Sequence, residues 1–481
     1  MCLQDIGGKF FINFRVLPET YVSSLKFARK LIYLNACKSS IDSIAISKGK
    51  KMKKKFIGVA FLAILIAGPA AAQQGGTGSS AFVLNTLFIV FCGVLVMWMT
   101  AGFAMLEAGM VREKNVVNQC AKNIGIFAIA STAFILTGYG LMFPNGNWLI
   151  PSLLGFDGVI EITEVVDNRT DFVGRGHAGA SDIFFQSMFC VAVASIVSGA
   201  IAERIKLLPF FIFTAILTAV IYPIQASWTW GGGFLASDVG FVDLAGSTVV
   251  HVVGGVAALT GALFLGAREG RFVNGQKVTL GQYSLPLATI GTLILWMGWY
   301  GFNAGSYLSF STDGDAANVA RIFLNTNLAA AGGVISAAFV SYFKQERFDL
   351  AFMLNGALIG LVAITAEPLY ATPFAAFAIG LAGGVILFWG TQLLDYLKVD
   401  DVVGAIPVHL FGGIWGTIAV AFSSNPNATV IGQFSSVLIV IAYTGVATSI
   451  VWAVLRETIG IRVSVETEDA GIDQSDYVTE S

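Results

Sequence analysis

Asp243-Leu-Ala-Gly-Ser-Thr-Val-Val-His251 and Asp401-Val-Val-Gly-Ala-Ile-Pro-Val-His409 share one frame, D-x-x-G-x-x-x-V-H, and both continue into a glycine pair, Gly254-Gly255 and Gly412-Gly413. Both lie in strongly apolar surroundings. One histidine in such a run is an isolated oddity. Two in matched frames indicate a duplicated fold in which each half brings an imidazole to a common place.

The rest of the composition sets the solvent. With 56% hydrophobic and 12% charged residues in 481, the chain lacks the polar surface a soluble globule needs. It reads as an all-α polytopic membrane protein in a lipid bilayer. A net charge of −2, with no long basic stretch beyond the N-terminus, excludes nucleic acid as a partner. Cys2, Cys37, Cys92, Cys120 and Cys190 show no CxxC or metal-type spacing, so they read as small packing residues rather than a disulfide framework.

Residues 1–51 are polar and Lys/Arg-rich. Met52 then opens Lys53-Lys54-Lys55, an apolar run from Phe56 to Ala67, and Pro69-Ala-Ala-Ala72 before Gln73. This is the pattern of a secretory signal peptide over 52–73, which implies that translation starts at Met52 and that 1–51 is an upstream extension. The alternative is a cytoplasmic arm with a signal anchor. A transporter domain over 74–457 and a cytoplasmic tail over 458–481 follow.

Within 74–457 the apolar runs predict eleven transmembrane helices, each near the roughly 20 residues that cross a bilayer. Their expected limits are 81–110, 123–143, 182–203, 207–228, 246–267, 286–310, 318–342, 350–366, 373–393, 404–422 and 431–457. Cleavage of the signal places the mature N-terminus outside and the C-terminus in the cytoplasm. Of about 16 Lys/Arg after the signal, roughly 13 then fall in cytoplasmic connections, the exceptions being Arg169, Arg175 and Arg321. Span 246–267 thus runs inward and span 404–422 outward. The repeat is inverted: five helices, five inverted helices and one C-terminal helix. A weaker echo links Trp98-Met-Thr-Ala-Gly-Phe103 with Trp296-Met-Gly-Trp-Tyr-Gly-Phe302.

Intramembrane ionisable groups are costly and mark function by default. That singles out His251 and His409, whereas His177 falls in the hydrophilic outer loop. In low dielectric, two touching imidazolium ions repel, so the pair is expected to be neutral or to share one proton and can relay it. A metal site built from both histidines and Asp243 is the rival reading; inversion pushes Asp243 and Asp401 to opposite faces and argues against it, so no metal and no cofactor are expected. Both acids also suit helix caps. Trp230 can belong to an interfacial belt or offer its ring face to a cation. No nucleophile or cofactor motif accompanies the histidines, so an enzyme is not expected.

Together, Ala101-Gly-Phe-Ala-Met-Leu-Glu-Ala-Gly109, Arg112-Glu-Lys-Asn115, Gly199-Ala-Ile-Ala-Glu-Arg204, Trp230-Gly-Gly-Gly233, the stretch from Asp243 to Gly255, Gly298-Trp-Tyr-Gly-Phe-Asn-Ala-Gly-Ser306 and the stretch from Val399 to His409 resemble the ammonium transporter/Rhesus protein family over residues 81–465. The resemblance implies a homotrimer in the cell inner membrane with one pore per subunit. It implies recruitment of ammonium, with methylammonium as analogue, at Trp230, Phe189 and Ser306, with Asp243 behind them. It also implies a gate of stacked Phe189 and Phe302, a twin-histidine pore at His251 and His409 that conducts ammonia, and a PII-type cytoplasmic signalling partner. A gas channel of Rhesus type and an ammonium sensor are the alternatives. The sequence departs from the family at Leu244, where an aromatic is usual, and at Gly471-Ile-Asp473, which Gln-Ser-Asp-Tyr-Val follows in place of HGExAY.

Overall fold

A bilayer core offers backbone groups no partner but one another, so long apolar runs of this kind close into helices. The computed structural model describes residues 77–159 and 176–476, and separately a two-stranded hairpin of Asp5–Ile6 with Lys9–Phe10. The expected signal peptide at 52–73, and nearly all of 1–51, lie outside the described residues.

From residue 77 the chain is a succession of helices. They are α1 (Thr77–Met110), α2 (Val116–Ala133, continued to Met142), α3 (Gly179–Ala200) and α4 (Leu207–Ile216, continued to Ser227). Next come α5 (Ser247–Val252 into Val253–Leu265), α6 (Leu285–Gly305) and α7 (Asp313–Gln345). The series ends with α8 (Leu350–Ile364), α9 (Pro373–Tyr396), α10 (Pro407–Phe411 into Gly412–Val420) and α11 (Val430–Thr458). Among the described residues, nine helical stretches are long and apolar enough to cross a membrane, while Leu350–Ile364 and Pro407–Val420 are shorter apolar helices. These two are the expected spans 350–366 and 404–422. At 1.5 Å per residue, α8 covers only about 22 Å of a roughly 30 Å core.

Burial separates inner from outer helices. α3 is buried nearly all round, from Ser181 to Ala200, as a helix apolar on every face must be. The long α1, by contrast, exposes Val83, Leu87, Phe91 and Trp98. α1 and α6, which carry the tryptophan echo, form the most extensive helix pair. A Cβ at Gly291 would stand 2.5 Å from the Leu106 amide nitrogen, so only glycine lets the two backbones meet there.

Two helix limits differ from expectation for identifiable reasons. α6 stops at Gly305 rather than 310, because Leu308 takes a left-handed turn at φ +59°. α2 begins at Val116 rather than 123, because the Asp473 carboxylate accepts from the Val117 and Asn118 amides, both at 2.8 Å, and caps the helix from the far end of the chain.

Candidate functional site

Each copy of the repeated frame builds the same local device. Asp243 accepts backbone N–H bonds from Gly246, Ser247, Thr248 and Val249 at 2.8–2.9 Å. Asp401 accepts from Gly404, Ala405 and Ile406 at 3.0, 3.1 and 2.6 Å. The second copy has one bond fewer because Pro407, which stands where the first has Val249, has no N–H. The glycine of the frame is left-handed in both, at φ +110° in Gly246 and +83° in Gly404, a conformation open to glycine at little cost. The next turn is a π-helix in both, Ser247–Val252 and Pro407–Phe411, and each holds its histidine.

The glycine pairs then bring the copies together. A Cβ at Gly255 would lie 2.6 Å from the Leu410 nitrogen, and one at Gly413 would lie 2.4 Å from the Ser247 carbonyl oxygen. Thr248 and Thr417 share a hydroxyl bond of 2.5 Å across the same crossing. The result is a direct contact between His251 Nδ1 and His409 Nδ1 at 3.1 Å, with both rings buried. One Nδ1 donates and the other accepts, so the rings hold opposite tautomers. Two charged rings at that separation would repel by about 5 kcal/mol at an effective dielectric constant of about 20. The pair therefore carries at most one positive charge. Asp243 is no third ligand, because its two oxygens already accept four backbone bonds.

From the histidines a line of rings leads to a cavity. His251 lies 5.5 Å from Phe302, and Phe302 stacks on Phe189 at 3.9 Å between ring centroids. Phe189 meets Trp230 edge to face at 6.1 Å. Trp299, 5.8 Å from Phe302, also stacks on His251 at 5.3 Å and donates its Nε1–H to Thr365 Oγ1, which helps hold the histidine plane. The cavity, about 150 Å³, is lined by Phe143, Gln186, Phe189, Trp230, Leu244, Ser306 and Leu308. That is room for a few water molecules or a small cation.

The lining is suited to a donor-rich cation. Ser306 donates to the Phe302 carbonyl at 2.9 Å, which leaves its lone pairs free. Gln186 Oε1 is buried without a hydrogen-bond partner. Sequence reasoning overlooked Gln186; an amide inside the otherwise apolar Phe185-Gln-Ser-Met-Phe189 was the signal that marked it. Asp243 does not line the cavity. It stands behind, and its main-chain carbonyl accepts from Trp230 Nε1 at 2.9 Å. Leu244, the departure from the family, lies in the lining itself. His177 lies in the connection before α3, as expected, and is fully buried there.

The opposite end is basic. Glu203 pairs with Arg112 and, at 3.0 Å, with Arg268; Asp400 pairs with Arg268 at 2.7 Å and Arg271 at 3.2 Å. The tail joins the same end through Asp473 and through Lys114, whose Nζ donates to the Glu468 carbonyl at 2.8 Å. The shortened Gly471-Ile-Asp473 pattern thus still fastens the tail within its own chain. Burial pushes the Asp400 carboxyl up, but hydrogen bonds from Arg268 and the charges of Arg204 and Arg268 outweigh it and hold it well below the usual range. A carboxyl depressed in the fold contributes stability that is complete above its unfolded value of about 4 and is lost as pH falls through its folded value. Resistance to thermal unfolding in detergent is therefore expected to weaken below about pH 4, and Asp400→Asn to flatten that acid limb while lowering stability at neutral pH.

Comparison with known proteins identifies the family of the chain. The family model described as Ammonium Transporter Family matches residues 87–481. Ammonium transporter Amt2 of Archaeoglobus fulgidus is 38% identical over 424 residues, covering 82% of this chain and 87% of that protein. The ammonium transporter of Bacillus subtilis is 33% identical over 411 residues, covering 81% and 96%. Among solved structures, a sensor Amt protein superposes with a TM-score of 0.76 at 32% identity, covering 83% of this chain and 99% of that one. Candida albicans Mep2 gives 0.72 at 26%, covering 81% and 88%. The chain is a multi-pass membrane protein that belongs to the ammonium transporter family.

Proposed function

We propose that the protein carries ammonium across the membrane by recruiting the cation at one face, removing its proton and conducting neutral ammonia past the histidine pair. The observation that carries this is the unbroken line from the cavity at Trp230 through Phe189 and Phe302 to His251 and His409. Ammonium is held by the Trp230 and Phe189 ring faces and by the Ser306 and Gln186 oxygens, while Asp243 fixes the tryptophan. A ring face contributes about 0.5–2 kcal/mol, too little to offset stripping a cation of its water. The cation therefore sheds its proton at or above the histidine pair. Potassium has no proton to shed and is rejected.

In this reading the chain crosses eleven times, α8 and α10 included, with α6–α10 inverted over α1–α5 and α11 added. The basic end lies in the cytoplasm by the positive-inside rule. The protein sits in the inner membrane as a homotrimer with one pore per subunit, and a PII-type protein meets the cytoplasmic end. Proteoliposomes test the transport reading: ammonium should evoke a current with parallel uptake of labelled methylammonium, and an equal current from potassium would overturn it. Trp230→Leu is expected to weaken apparent ammonium affinity about 3- to 30-fold, the loss of one cation–π contact, with a smaller effect on maximal rate. The likeness to a sensor Amt protein supports a second reading, binding without much flux. Growth rescue of an uptake-deficient host at low ammonium separates the two.

A further inference from the structure

The proposed route leaves open where the proton goes after ammonia has parted from it. Below the histidines a second small cavity, about 20 Å³, is lined by His409 together with Glu107, Ser195, Asn355 and Val403. Such a space holds about one water molecule. Glu107 (1% exposed) is an acid inside the apolar α1, and it faces Lys122 (0% exposed) of α2 at 3.5 Å. One side of its carboxylate is occupied: Ser198 donates to Oε2 at 2.7 Å, and Lys122 is itself anchored to the Ser198 carbonyl at 2.8 Å. The other oxygen, Oε1, is buried with no hydrogen-bond partner. The neighbouring Asn123 amide donates one N–H to the Gln119 carbonyl at 3.0 Å.

An ion pair kept only to join helices would be expected to have both oxygens satisfied, since each unpaired buried acceptor costs stability. Here the open oxygen belongs to a group that shares a cavity with His409. We propose that Glu107 is the inner proton carrier of the pore, taking the proton that leaves the His251–His409 pair through a water in their shared cavity and releasing it at the basic face. An imidazolium N–H breaks, the water accepts that proton and gives up another, and a carboxyl O–H forms at Glu107. In the second half that O–H breaks to solvent, and the carboxylate is restored. The positive charge of Lys122 at 3.5 Å favours the ionised carboxylate. Once Glu107 is protonated, the uncompensated ammonium of Lys122 favours release, so the proton does not lodge. The inference rests on the transport reading above.

The test uses the full chain in proteoliposomes, with ammonium-evoked current and methylammonium uptake as readouts. Glu107→Gln is expected to lower the current about 100-fold, the scale of a lost positioned proton-transfer group. Glu107→Asp should restore part of it, and that residual current should slow further in deuterated water. Because Glu107→Gln strands a buried lysine, the deciding variant is the double Glu107→Gln, Lys122→Met, which removes both charges. If the pair only holds helices together, the folded double variant regains wild-type current, and the inference is overturned. If Glu107 carries the proton, the double variant stays electrically silent. Wild-type protein with methylammonium uptake but no current would also overturn the inference, whereas neither current nor uptake would sink the transport reading instead, a distinct outcome.

Discussion

His251→Ala is expected to abolish the ammonium-evoked current in proteoliposomes, a fall of at least about 100-fold, while leaving the protein folded and assembled. The ring is not a structural post. It touches His409 through one Nδ1 contact of 3.1 Å and otherwise packs against the rings of Trp299 and Phe302. Its Nε2 has no partner, so truncation leaves no donor from another residue stranded there. What disappears is the complementary tautomer pair, the one arrangement on the line of rings that can take a proton and hand it on. His409→Ala should act the same way, and because the two rings work as a unit the double variant should be little worse than either alone. Size-exclusion profiles and melting temperatures near wild type would show that lost current reflects lost proton handling. Full current in folded His251→Ala would refute the twin-histidine pathway.

Asp243→Asn is expected to impair transport by about ten-fold or more and Asp401→Asn markedly less. An aspartate presents acceptors only, and Asp243 uses both oxygens on four backbone N–H groups in a nearly closed site, at 4% exposure. An asparagine turns one of those oxygens into a donor that faces donors, so two buried N–H groups lose their partner. The start of α5 must then shift, and with it the Asp243 carbonyl that holds Trp230 over the cavity. Asp401 is half-buried, has three such bonds to lose, and holds no cavity residue through its carbonyl. Uptake of labelled methylammonium across both variants checks the order. A larger loss in Asp401→Asn would count against assigning the recruitment face to Asp243.

How far these residues were legible beforehand depended on the kind of signal they left. The apolar runs predict helices because the bilayer leaves the backbone no alternative, and the structure has a helix at every expected run. The limits moved where a distant residue intervened, as when Asp473 capped α2. The histidine contact was legible from repetition: equal frames in two halves place equal groups alike. Gln186 left only a faint mark, one amide in an apolar helix, and its unpartnered oxygen became evident only beside Trp230 and Ser306. Phe189 and Phe302 left none of their own among 38 phenylalanines and were reached only through the family resemblance.

By itself, then, the sequence determined the solvent, the helical class, the duplication and the two imidazoles, because composition, run length and repeated spacing are local properties written along the chain. Only the tertiary structure decided which of the repeated features do the same work and which do not. It showed that Asp243 stands behind the cavity, that glycines at 255 and 413 let two backbones cross closely enough for an Nδ1–Nδ1 contact, and that Glu107 shares a cavity with His409. Those facts depend on distances between residues far apart in sequence. Such distances are set by how helices pack against one another, which no local pattern encodes.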